Sequence, residues 1–143
     1  MKRSNQSVTT TIDITAAQAW AVIGAVKGVD QWLAPIQACR VEGDKRYCTT
    51  EQGEFSEDIL EVNHEQQVFR YHIAEQNMMP ISNINGRMQV RAGAENQAEV
   101  EWSWEFDVAE DQEAEAKEML ATVGNMGITG IETLVKTEAS QAA

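Results

Sequence analysis

Chemistry is most readily placed at two charged residues that fall on the inner side of a predicted hairpin, Arg46 and Glu57. The stretch from 36 to 57 alternates with the period of a β-strand and is broken at Gly43-Asp44 and again at Glu51-Gln52. A turn at the first break sets Cys39 opposite Cys48 and Val41 opposite Arg46, with Arg40 and Tyr47 paired on the other face. Cysteine and valine mark the buried face, so Arg46 points inward. A turn at the second break sets Cys48 opposite Phe55 and Arg46 opposite Glu57. An arginine on an apolar face needs a partner, and the next strand offers a carboxylate at the matching position. Such an arginine can orient an acidic group on a ligand while the glutamate moves a proton. The same residues can equally form a structural ion pair. Desolvation raises the pKa of a buried carboxylate and a guanidinium lowers it, so the protonation of Glu57 stays open, as do binding, catalytic and structural roles.

Other chemistries find little support. His64 falls in a turn and His72 on an outward strand position, and there is no HxxxH or Cys/His cluster, so neither a metal nor a cofactor is expected. No Gly-rich loop follows a strand in the manner of a phosphate cradle. Cys39 and Cys48 sit where a cross-strand disulfide could form, but free, buried thiols are the preferred reading, because Met1 to Gln6 are polar and basic with no apolar run behind them to act as a signal peptide. A formal charge of −12 argues against nucleic acid and anionic membrane as partners. Much of that charge is the run from Glu99 to Glu118, which reads as a solvated strand face and an acidic helix start. No stretch is long and apolar enough to span a bilayer, which leads to a cytoplasmic reading. With 143 residues the chain suits one domain, 1–143.

The elements that must hold these residues follow from hydrophobic spacing. Residues 7 to 14 alternate as a strand with Val8, Thr10, Ile12 and Ile14 on one face. Thr15 and Gln18 fit a capping box, and Trp20, Ile23 and Val26 make the buried face of a helix that Gly28 ends. A second short helix, Asp30 to Leu33, carries Trp32 and is stopped by Pro35. Six consecutive strands then run to Val108. Setting Arg91 opposite Glu99 puts Val90 opposite Val100, Met88 opposite Trp102 and Gly86 opposite Trp104, which keeps both faces consistent. In the fourth strand Phe55 and Glu57 face in, yet the next hairpin works best with Leu60 and Val62 in, beside Tyr71 and Phe69. A bulge near Asp58 reconciles them. The last element is a long helix from Glu110 to about Lys136, with Ala116, Met119, Leu120, Val123, Met126, Ile131, Leu134 and Val135 on its apolar face. Gly124, Gly127 and Gly130 form a bare stripe on it, each costing about 1 kcal/mol relative to Ala, so either a backbone approaches there or space is kept open. Strands followed by a helix indicate an α+β fold with an antiparallel sheet.

This order, with its local motifs, resembles the START-like or helix-grip superfamily, in particular its bacterial polyketide cyclase/dehydrase branch. The birch-pollen-allergen-like proteins and abscisic-acid receptors are other branches. The marks are Trp32 and Pro35 followed by Ile36 to Cys39, Glu57 to Val62 leading into Tyr71 and Ile73, Pro80 to Val90, and Trp102 to Phe106. Ile84 stands where the family commonly has an aromatic. The resemblance implies a seven-stranded curved antiparallel sheet wrapped around the long C-terminal helix, with two short helices between strands one and two and an apolar cavity inside. Arg46 and Glu57 match the arginine and glutamate that lachrymatory-factor-synthase-like enzymes use. Trp32, Cys39, Cys48, Phe55, Phe69, Tyr71, Met88, Trp102, Trp104, Val123 and Gly127 are then the expected ligand contacts. The resulting reading is a binder of a small hydrophobic or amphipathic molecule, lipid-, polyketide- or aromatic-like. A cyclase/dehydratase-type enzyme and a protein-binding, chaperone-assisting module are the alternatives, and a homodimer is left open.

Overall fold

The structure is a computed structural model that describes residues 1–142. The strands are β1 (Lys2–Ile12), β2 (Ala38–Glu42), β3 (Lys45–Thr50), β4 (Gly53–Asn63), β5 (Val68–Ile73), β6 (Ile81–Ala92) and β7 (Ala98–Val108). Between β1 and β2 lie helix α1 (Ala16–Ile23) and a 3-10 turn at Val29–Gln31; after β7 come a second 3-10 turn and helix α2 (Glu113–Ala142). The strands form one antiparallel sheet in the order β1-β7-β6-β5-β4-β3-β2. Five neighbours follow one another through short turns. β1 instead pairs with β7, so the chain's first strand closes the edge beside its last. This is the α+β, helix-grip arrangement, with α2 lying across the inner face and packing chiefly on β1.

The registers follow from period-two patterning. Arg46 pairs with Glu57, Cys48 with Phe55, Cys39 with Cys48, Met88 with Trp102 and Gly86 with Trp104. The inner residues of β7, Val100, Trp102, Trp104, Phe106 and Val108, are all buried, and Leu120, Ile128 and Ile131 of α2 are buried opposite them. Each such aliphatic side chain contributes about 1.5–3 kcal/mol by leaving water.

Several boundaries differ from the sequence expectation. β1 begins at Lys2 rather than residue 7, because Ser4 turns inward and its Oγ donates to Glu113 Oε2 at the head of α2, 2.5 Å away. The bulge falls between Ile59 and Glu61, so Leu60 is the extra residue and is exposed, while Ile59 pairs with Tyr71 and Val62 with Phe69. On α2, Met126 is 40% exposed and Ile128 fully buried. At about 100° per residue these two positions point to opposite sides, and the side that meets the sheet is the one carrying Gly124, Gly127 and Ile128. α2 also continues to Ala142, beyond Lys136.

Helix α1 has the expected capping box at Thr15 and Gln18, but it ends at Ile23, with Gly24 as its cap. The Trp20 ring lies over Gly24 so closely that a Cβ there would sit 2.6 Å from it. Trp20 Nε1 then donates to His64 Nδ1 in the β4–β5 turn at 3.0 Å. Val26 follows with φ +68°, the left-handed region that β-branched residues rarely adopt. Its carbonyl accepts a bond from Arg46 Nη1 at 2.6 Å. Stopping the helix early thus supplies an acceptor to the buried arginine.

Candidate functional site

A cavity of about 270 Å³ lies between the inner face of the sheet and α2. Alternating inward positions of four strands build one wall: Phe55 of β4, Phe69 and Tyr71 of β5, Met88 of β6, and Trp102 and Trp104 of β7. Met119, Leu120 and Val123, spaced along one side of α2, build the opposite wall. The segment after α1 supplies Val29, Trp32, Leu33 and Ile36, and the β5–β6 connection supplies Met78 and Met79. The lining is overwhelmingly apolar, with methionines able to adapt to differing shapes.

Arg46 and Glu57 interrupt that lining. Their side chains are 7% and 6% exposed. Arg46 Nε and Nη2 both donate to Glu57 Oε1, at 3.1 and 2.5 Å. With the bond from Nη1 to Val26, three of the guanidinium's five N–H groups have protein acceptors. The Phe69 ring lies 5.0 Å from the guanidinium carbon and the Tyr71 ring 5.9 Å, so aromatic faces shield the cation. Burial pushes the Glu57 carboxyl above its ordinary value, and the charge and hydrogen bonds of Arg46 only partly offset this. Burial likewise pushes the Tyr71 phenol up, reinforced by the charge of Glu57. The Tyr71 hydroxyl accepts from Trp102 Nε1 at 3.0 Å. Gly86 makes room for this ring, since any Cβ there would collide with it. A buried ion pair beside an apolar cavity can hold a polar group in place or trade a proton with it.

The sequence profile of the family described as polyketide cyclase / dehydrase and lipid transport matches residues 5–136. The chain belongs to this family. Among solved structures, the cyclase/dehydrase-type fold recurs in an uncharacterised protein from Bacillus thuringiensis, 22% identical with a TM-score of 0.83, covering 92% of this chain and 98% of that one. The protein XoxI from Bacillus cereus is also 22% identical, with a TM-score of 0.81 and coverage of 91% and 94%. A protein from Thermobifida fusca shares 16% identity at a TM-score of 0.77, covering 90% of each chain. At these identities the likeness shows the fold. No curated protein sequence matches this chain.

Within this polyketide cyclase/dehydrase framework, Arg46, Glu57, Trp32, Phe55, Phe69, Tyr71, Met88, Trp102, Trp104 and Val123 line one cavity. Three expected contacts do not. Gly127 is covered, because a Cβ there would lie 2.8 Å from Trp102, 3.1 Å from Trp32 and 3.3 Å from Leu33. Its stripe is therefore a packing seam: Gly124 meets Trp104 and Val8, and Gly130 abuts the Trp32 main-chain carbonyl. Cys39 and Cys48 are not free thiols but a disulfide, their Cα atoms 4.3 Å apart as directly paired strand neighbours. Cys48 sits behind Glu57, and Cys39 lies at the β2 edge, beside a surface groove between α1 and the end of α2. Met78, Met79, Met119 and Leu120 complete the walls. The Met-Met-Pro run at 78–80 was the available signal for the loop pair, an apolar cluster within a turn. Among the described residues no helix is long and apolar enough to cross a membrane, and no group of three or more His, Cys, Asp or Glu is placed to hold a metal ion.

Proposed function

We propose that the protein binds a small hydrophobic or amphipathic molecule, its apolar body against Met88, Trp102 and Val123 and its polar end toward Arg46 and Glu57. The observation that carries this reading is the juxtaposition itself, a largely apolar cavity with a buried ion pair on its wall. Family membership supports a hydrophobic ligand. The size narrows the choice. A cavity of about 270 Å³ suits a single ring system or a short acyl chain. Trp32 Nε1, buried and without a hydrogen-bond partner among the described residues, favours a ligand that also carries an acceptor.

The test is thermal unfolding of the purified protein with a panel of aromatic ketones, medium-chain fatty acids and phospholipid. Ring-sized and single-chain compounds should raise Tm, and Val123→Trp, which fills the cavity, should abolish the rise. A panel without effect on the wild type would sink the reading.

Catalysis is the second reading, favoured by the burial that keeps the Glu57 proton to higher pH than usual. It expects bound compounds to be converted by the wild type and left intact by Glu57→Gln, with binding retained. Analysis of the recovered compounds by mass spectrometry distinguishes the two.

A further inference from the structure

Glu57 uses its two oxygens unequally. Oε1 receives both bonds from Arg46, while Oε2 lies 3.9 Å from the Cys48 sulfur. In the disulfide that sulfur has no hydrogen to donate, so among the described residues this buried carboxylate oxygen has no donor. As a thiol the same sulfur would carry an S–H within sulfur hydrogen-bond reach of Oε2. We propose that Cys39 and Cys48 form a reducible dithiol site, and that its reduction supplies Glu57 with the hydrogen-bond donor it lacks in the oxidised form. Cys48 is then a positioning residue that acts through Glu57.

The placement suits such chemistry. Cys48 is wholly buried, but Cys39 is half-buried on β2, the strand at the sheet edge, and lines the groove between α1 and the end of α2. A dithiol reductant reaches the pair from that side. Its thiolate attacks Cys39 Sγ, the Cys39–Cys48 bond breaks, and Cys48 leaves as a thiolate that takes up a proton. The reductant's second thiol then displaces Cys39, so two electrons and two protons pass to the protein and the reductant ends as a disulfide. The strand that carries Cys48 is paired on both sides, to β2 and to β4, so the hairpin is held by backbone ladders as well as by the crosslink and the fold survives reduction.

A donor to Oε2 favours the charged form of Glu57 and lowers its titration midpoint. The charged and titratable groups facing Glu57 are Arg46 and Cys48 of β3 and Tyr71 of β5; the α2 residues on the same cavity, Met119, Leu120 and Val123, carry no charge. Reduction therefore changes one neighbour of Glu57 and leaves the others in place.

The experiment is a carbon-13 NMR titration of the Glu57 carboxyl in full-length protein, with and without dithiothreitol, with free thiols counted by a chromogenic disulfide reagent. The midpoint should fall by about half a pH unit to one unit on reduction. Cys39→Ser, which keeps the Cys48 thiol but cannot oxidise internally, should hold the reduced midpoint with or without dithiothreitol. Cys48→Ala should hold the oxidised one. A midpoint indifferent to reduction, a Cys39→Ser variant that matches the oxidised protein, or loss of near-ultraviolet dichroism on reduction would each overturn the proposal. The readout needs no ligand, so it stands or falls separately from the binding function.

Discussion

The polar end of the cavity and the glycine seam of α2 are both tightly packed, yet they are built on opposite principles. At the polar end, Arg46 and Glu57 face each other from adjacent strands, and Arg46 is held by directed hydrogen bonds to Glu57 and to the Val26 carbonyl. At the seam, Gly124, Gly127 and Gly130 present no side chain at all, and Val8, Trp32, Trp102 and Trp104 fill the space. The first region concentrates charge that costs stability unless it is paired. The second removes atoms so that large rings can approach a helix backbone. A substitution at the polar end therefore acts through charge and depends on pH, whereas one at the seam acts through volume and does not.

The largest effect should come from Glu57→Leu. Arginine cannot shed its proton at accessible pH, so the variant leaves an uncompensated buried cation and should lose about 3–5 kcal/mol in urea denaturation. Arg46→Met should cost less at pH 5 than at pH 8, because Glu57 can take up a proton when its partner is gone. Equal costs at the two pH values would mean that the carboxyl reaches water, contrary to its burial.

Gly130→Leu should come next, at about 1–3 kcal/mol, since the new side chain meets the Trp32 main-chain carbonyl rather than a movable side-chain end. Gly127→Leu should behave similarly, and both losses should be the same at pH 5 and pH 8. Because Gly127 is roofed by Trp32 and Trp102, Tm should drop and the affinity of a cavity ligand should change little. A loss of affinity larger than the loss of stability would put the seam inside the binding site.

A subtler comparison uses pH alone. The Glu57 carboxyl is raised from its ordinary 4.5, so the folded protein holds that proton to higher pH than the unfolded chain does. Between the two values the folded state binds more protons, and stability falls as pH rises through the window. Asp58, Glu61, Asp107 and Glu113 are lowered by their hydrogen-bonded partners and act in the opposite sense, at pH below their ordinary values. The difference between wild type and Glu57→Gln in urea denaturation isolates the first effect; a difference independent of pH from 4 to 8 would refute it. The smallest change should be Met126→Ala, within about 0.5 kcal/mol, because that side chain is exposed on the far side of α2.

Much of the site was legible before the fold. The Arg46–Glu57 pair, the inward Phe55 and the Met88–Trp102 neighbours all follow from a period of two and a turn between consecutive strands, which fixes register within a few residues. Where a single residue breaks that period, the inference slipped. The bulge lies at Leu60 rather than Asp58, since either position restores the alternation and only the cross-strand fit to Tyr71 and Phe69 selects one. Helix α1 read too long because propensity continues past Ile23, whereas the Trp20 ring over Gly24 and the Val26 carbonyl turned to Arg46 end it.

The amino-acid sequence by itself determined the β2–β3, β3–β4 and β6–β7 registers, the inward ion pair and the existence of a glycine stripe, because each depends on residues near one another in the chain. Only the tertiary structure decided that the stripe is a seam against Trp32 and Trp102, that Cys39 and Cys48 are joined, and that Met78 and Met79 close the cavity wall. Gly130 and the Trp32 carbonyl lie about one hundred residues apart, and no local periodicity encodes which distant backbone a bare helix face will meet. The two cysteines were in register from the start; whether their sulfurs join depends on side-chain geometry and redox state, which strand alternation does not specify.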